Sequence, residues 1–102
     1  MNIYNEKETI ALLQEPGRQR EAFENIVKAY SETLYWQIRR LVLSHEDAND
    51  ILQNTFIKAW QNIEYFRGEA KMSTWLFRIA FNECLSFKNN KRIGEQISID
   101  DI

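Results

Sequence analysis

Between Tyr65 and Asn82 aromatic and cationic side chains interleave: Tyr65, Phe66, Arg67, Lys71, Trp75, Phe77, Arg78 and Phe81 all fall in this one stretch. Projected at 3.6 residues per turn, Trp75, Arg78, Asn82, Ser86 and Asn89 share one side of a helix, and Leu76, Phe77, Ala80, Phe81, Cys84 and Phe87 form a broad apolar arc on the other. A flat ring next to a guanidinium and a carboxamide is what an unstacked nucleobase needs: a stacking surface, a cation–π or phosphate contact, and a hydrogen-bonding edge. Two readings of Trp75 fit the spacing equally, a stacking platform or a ring folded back over the start of the bundle.

A second constellation lies just upstream. Ala48, Ile51, Leu52, Phe56, Ala59, Trp60 and Ile63 recur at spacings of three and four, which assigns them to the buried face of a helix. Asp50, Gln53, Asn54 and Ile57 then form a ridge on the opposite side. That ridge is either an ordinary solvated face or a surface that lies against a partner helix. Isoleucine at its end is the residue that burial within the domain does not require.

These elements must be held by a scaffold. Asn5, with Glu8 three positions on, is a capping-box start for a short helix through Glu15, which Pro16-Gly17 stops. The longest helix is expected from Arg18 to about Leu43, with Phe23, Ile26, Val27, Tyr30, Leu34, Ile38, Leu41 and Val42 as its apolar stripe. Tyr35 and Trp36 are adjacent, so one of them points outward. Ser44 is the expected N-cap of a helix running from Asp47 to about Tyr65. After a loop around Arg67 to Met72, Ser73 is expected to cap a helix reaching about Asn90. The chain is thus expected to be all-α, a bundle of three longer helices plus a short N-terminal one.

Composition narrows the function classes. The chain has 102 residues, 44% of them apolar and 13% aromatic, enough for one core and one domain. Its one cysteine, Cys84, excludes an internal disulfide, and with His45 as the sole histidine no zinc site can be assembled. Cys84 reads as a small core residue and His45 as a turn residue. No nucleophile–base pair or phosphate-cradling loop stands out, Gly68 being alone, so neither catalysis nor a cofactor is expected. No apolar run nears the roughly 20 residues of a membrane span, and the N-terminus lacks a signal-peptide pattern, so a cytoplasmic protein is expected. The formal net charge of −2 hides a segregation. Residues 65–92 carry +4 and all others −6, which points to one anion-binding surface on an acidic body.

Read together, Asp50-x-x-Gln53-x-x-Phe56-x-x-x-Trp60, then Phe66-Arg67-Gly68, then Ser73-Thr74-Trp75-Leu76-Phe77-Arg78-Ile79-Ala80-x-Asn82 resembles the extracytoplasmic-function (ECF) class of bacterial RNA polymerase sigma factors, in the domain called region two. The resemblance implies a transcription initiation factor domain in which Asp50, Gln53 and Asn54 meet the coiled coil of the polymerase beta-prime clamp, and Ile57, on the same ridge, joins them as a polymerase-binding candidate. It implies that Tyr65, Phe66, Arg67, Gly68, Glu69, Ala70 and Lys71 of the loop, with Thr74, Trp75, Arg78 and Asn82 of the helix, take a base of the non-template minus-ten element out of the stack. Lys88, Lys91 and Arg92 would meet phosphates upstream. An anti-sigma factor stands as a further partner. Residues 1–92 are then the domain, and the acidic tail 93–102 is the start of a linker towards a C-terminal helix-turn-helix domain that this chain does not include. Two other classes fit parts of the pattern, a duplex-binding helix-turn-helix regulator and a purely protein-binding helical adaptor that uses the Asp50 face alone.

Overall fold

Four helices and one short turn of 3₁₀ helix make up the computed structural model, which describes residues 4–100, with side chains described for residues 4–90. The order is α1 (Glu6–Leu13), α2 (Gln19–Arg39), α3 (His45–Gln61), the 3₁₀ turn (Ile63–Tyr65) and α4 (Met72–Asp100). Among the described residues there is no strand. The fold is all-α, three longer helices and a short N-terminal one, as the periodicity predicts.

The starts of α1 and α3 follow from their caps. Asn5 Oδ1 accepts the Glu8 amide at 3.0 Å, and Ser44 Oγ accepts the Asp47 amide at 3.0 Å. Pro16-Gly17 turns the chain between α1 and α2, Gly17 taking a φ of +81° that side chains with a β-carbon resist. Helix α2 ends at Arg39, four residues before the expected Leu43. Leu41 and Val42 still hydrogen-bond back to the Ile38 carbonyl, and Leu43 is left 93% exposed.

Helix α4 departs from expectation at both ends. It begins at Met72, which puts Ser73 inside the helix, and it continues past Asn90 to Asp100. The apolar period fades after Phe87, but residues 91–100 contain one glycine and no proline, so their propensity does not oppose a continued helix. The side chains of residues 91–100 lie outside those described.

Ile26, Leu34 and Ile38 of α2, Ala48, Ile51 and Ala59 of α3, and Met72, Leu76, Ala80 and Cys84 of α4 are fully buried, with Leu13 of α1 and Ile63 of the 3₁₀ turn at the margin. The buried side of α4 is narrower than the apolar arc read from its sequence. Phe77, Phe81 and Leu85 are 36%, 41% and 46% exposed and lie outside the core, because only one side of α4 meets α2 and α3. Trp60, expected inside, lies across Phe23 with ring centroids 5.1 Å apart and remains 42% exposed.

Candidate functional site

Helix α3 is anchored by the residues that face inward. Ala48, Ile51, Thr55 and Ala59 are buried, and the Thr55 hydroxyl is satisfied by donating to the Ile51 carbonyl at 2.7 Å. This orientation turns Asp50, Gln53, Asn54 and Ile57 outward together, all exposed, with Ile57 at 54%. Among the described residues no side-chain hydrogen bond or ion pair engages Asp50, Gln53 or Asn54. The ridge therefore carries polar groups free to bond elsewhere around one solvent-facing aliphatic side chain.

At the N-terminal end of α3, His45 is more than a turn residue. It is the first residue of the helix, its Nδ1 pairs with the Tyr35 hydroxyl and its Nε2 with the Asn49 carboxamide at 3.0 Å. Tyr35 is thereby turned toward α3, and Trp36 is the outward member of the pair, 55% exposed.

The loop between α3 and α4 is built on aromatic packing. Phe66 packs against Trp75 with centroids 5.2 Å apart and rings tilted by 48°. Trp75 is thus half-buried against the loop, which favours the folded-back orientation and leaves only part of its surface toward solvent. Tyr65, 67% exposed, is the ring the loop presents outward. Gly68 has a φ of +77°, so the loop turns through a conformation that a β-carbon would strain. Arg67, Glu69 and Lys71 are exposed around it, and Ala70 is half-buried.

From the loop the first turns of α4 present Thr74, Arg78 and Asn82, all exposed, and Lys88 two turns beyond. None of Arg67, Lys71, Arg78 and Lys88 has a carboxylate partner among the described residues. The one ion pair that joins two helices among those residues is Lys58 of α3 with Glu83 of α4. The structure thus leaves the loop cations, Tyr65 and the Arg78 and Asn82 side chains of α4 exposed, and holds the Asp50 ridge on the neighbouring helix. The side chains of Lys91 and Arg92 lie outside the described residues. Burial raises the Cys84 thiol above its ordinary value, as expected for a core cysteine.

Sequence reasoning missed one contact at this site. Glu6 of α1 reaches the start of α4, its Oε1 accepting the Met72 amide at 2.9 Å. Nothing in local spacing connects positions 66 residues apart. Among the described residues no three His, Cys, Asp or Glu side chains come together as a metal site, and no helix is long and apolar enough to cross a membrane.

A helical domain with a polar ridge on one helix and a basic, aromatic loop leading into the next is matched, over residues 26–93, by the family described as Sigma-70 region 2. The chain belongs to that family. Its relatives place it among the ECF type: it is 40% identical over 68 residues to the ECF RNA polymerase sigma-E factor of Haemophilus influenzae, covering 67% of this chain and 35% of the relative. It is 42% identical over 62 residues to the ECF RNA polymerase sigma factor SigW of Bacillus subtilis, covering 61% and 33%. Against the ECF RNA polymerase sigma factor SigG of Mycobacterium tuberculosis the identity is 35% over 80 residues, covering 78% and 22%. The chain spans about a third or less of the length of these curated relatives.

Proposed function

We propose that this chain is the part of a transcription initiation factor that binds core RNA polymerase and opens the promoter at the minus-ten element. Asp50, Gln53, Asn54 and Ile57 dock on the beta-prime clamp coiled coil, the polar groups bonding across a helix–helix contact and Ile57 packing at its end. Residues 65–71 with Thr74, Trp75, Arg78 and Asn82 hold the non-template strand, and Lys88, Lys91 and Arg92 meet its phosphates. The observation that carries this reading is that a sigma-70 region 2 chain keeps four cations, Arg67, Lys71, Arg78 and Lys88, without a carboxylate partner among the described residues, on the segment that also carries the outward Tyr65.

The mechanism is differential binding. The surface fits separated bases better than paired ones, so capture of an unstacked base offsets the few kcal/mol of unpairing. Each stacked base contributes about 1 to 3 kcal/mol. A duplex-reading helix-turn-helix is disfavoured by the long connection of residues 62–71 between α3 and α4, since that motif joins its helices by a turn of about 3 to 4 residues. The site of action is the cytoplasm, and an anti-sigma factor would act by covering one of the two surfaces.

Capture of bacterial core polymerase by the chain, wild type against an Asp50→Ala, Gln53→Ala double variant that keeps its helical circular dichroism, tests the reading. Wild type is expected to be retained and the double variant released. A wild type that does not bind core overturns the proposal.

A further inference from the structure

The start of α4 has no cap of its own. The Lys71 carbonyl accepts the first helical hydrogen bond, from the Trp75 amide at 3.0 Å, so Lys71 occupies the N-cap position with a side chain that cannot accept one. Ser73, which could, lies inside the helix. The orphan amide of Met72 is satisfied instead by Glu6 Oε1 at 2.9 Å, a charge-assisted bond to the positive end of the helix dipole. The same oxygen accepts the Tyr30 hydroxyl at 3.5 Å, and the Tyr30 ring is steadied edge-on by Tyr4, centroids 5.2 Å apart.

Helix α1 also lies beside the loop at two other points. Ile10 Cδ1 stands 3.8 Å from where a β-carbon on Gly68 would lie, and Ile10 and Leu13 line a cleft closed by Phe66. The loop is thus bonded to α1 at its end, through Glu6 and the Met72 amide, and lies beside α1 at Gly68 and Phe66. All of α1 lies outside residues 26–93, the part that matches the family.

We infer that α1 is part of the strand-capturing site, and that Glu6 is a positioning residue which fixes the first turn of α4, and with it residues 66–75, in the orientation that receives an unstacked base. The inference rests on the DNA reading proposed above and goes beyond it by assigning a role to a residue that touches no nucleic acid. A loop held at its end by this bond and flanked by α1 loses little further freedom on binding, whereas an unheld one must be ordered by the strand it captures.

The test compares wild type, Glu6→Ala and Glu6→Gln in the 102-residue chain. Three quantities are measured: retention on core polymerase, affinity for a panel of short single-stranded oligonucleotides, and hydrogen exchange along the chain. Glu6→Ala is expected to weaken oligonucleotide binding by about five- to tenfold. Core retention should stay within about twofold, and faster exchange should be confined to α1 and residues 66–75. Glu6→Gln keeps an acceptor for the Met72 amide and should recover most of the loss. Unchanged oligonucleotide affinity in Glu6→Ala overturns the inference, as does a parallel loss of core retention, which would mark general destabilisation. Failure of Glu6→Gln to recover also overturns it, because the bond would then not be the cause. A wild type that binds core but no oligonucleotide defeats the DNA reading itself, and the positioning role falls with it.

Discussion

Trp60 packs at a tilt against Phe23 at the margin of the core with two-fifths of its surface in water, and its truncation should cost accordingly. Trp60→Ala is expected to lower stability by about 1 to 3 kcal/mol, below the 3 to 5 typical of a fully enclosed tryptophan, while Leu76→Ala, at a fully buried position, should cost about 2 to 5. Urea denaturation of the two variants checks the order, and a larger loss at Trp60 would contradict it. The buried thiol and phenols make a separate prediction. Burial raises the Cys84 thiol and the Tyr4 and Tyr30 hydroxyls above their ordinary values, so the folded chain keeps protons that the unfolded chain releases. Their contribution is fully present below the unfolded values, about 8.5 for the thiol and about 10 for the phenols, and is lost as pH rises through the folded ones. The urea midpoint should therefore fall from about pH 8 upward, first through Cys84, and Cys84→Ala should flatten that first decline. At this scale the caps Asn5 and Ser44 were legible in the sequence because a cap is a local pattern of residue types. The exposure of Trp60, Phe77 and Phe81 was not, since periodicity locates the centre of an apolar face and does not say how wide a strip the neighbouring helices cover. Trp75 was legible as a two-way choice, which only the position of Phe66 resolved.

Among the described residues one ion pair, Lys58 with Glu83, ties α3 to α4, and its asymmetry sets the expected energetics. The Glu83 side chain is 11% exposed and that of Lys58 54%, so solvent screens one partner and most of the penalty falls on the other. Glu83→Ala should destabilise by about 1 kcal/mol, and Glu83→Leu, which replaces the carboxylate by apolar volume at the same place, should recover most or all of that loss. Denaturant midpoints of the two variants decide the matter; a leucine variant weaker than the alanine one would show that the charge itself is required. The number and order of the helices were legible because each long helix carries an unbroken apolar stripe. The end of α4 was not, because residues 91–100 continue the helix without an apolar stripe to announce it. The ridge of Asp50, Gln53, Asn54 and Ile57 was legible as a face, since residues opposite a well-defined buried stripe have nowhere else to point.

The whole molecule is elongated, 56 × 27 × 21 Å with a radius of gyration of 16.2 Å, against about 13 Å for a compact chain of this length. The 29 residues of α4 alone extend about 43 Å, so one helix carries the chain beyond the bundle. Charge is divided along the same body, +4 in residues 65–92 and −6 elsewhere, and binding to single strands should fall steeply with salt. Each phosphate neutralised contributes about −0.7 to the slope of log K against log salt, so removing Arg67 and Lys71 together should shallow it by about 1 to 1.4. Asp50→Ala with Gln53→Ala should leave that slope unchanged, and fluorescence anisotropy across a potassium chloride series measures both. The bond from Glu6 to Met72 also has a place in time as well as in space. The contacts of α2 with α3 and of α3 with α4 join successive helices, while this one closes 66 positions and can form only after both of its ends are in place. It should be absent from the transition state, so Glu6→Ala would hasten unfolding in a stopped-flow experiment and leave the refolding rate nearly as it was. The native molecule would then open first where α1 meets α4, at the edge of the surface that binds the strand.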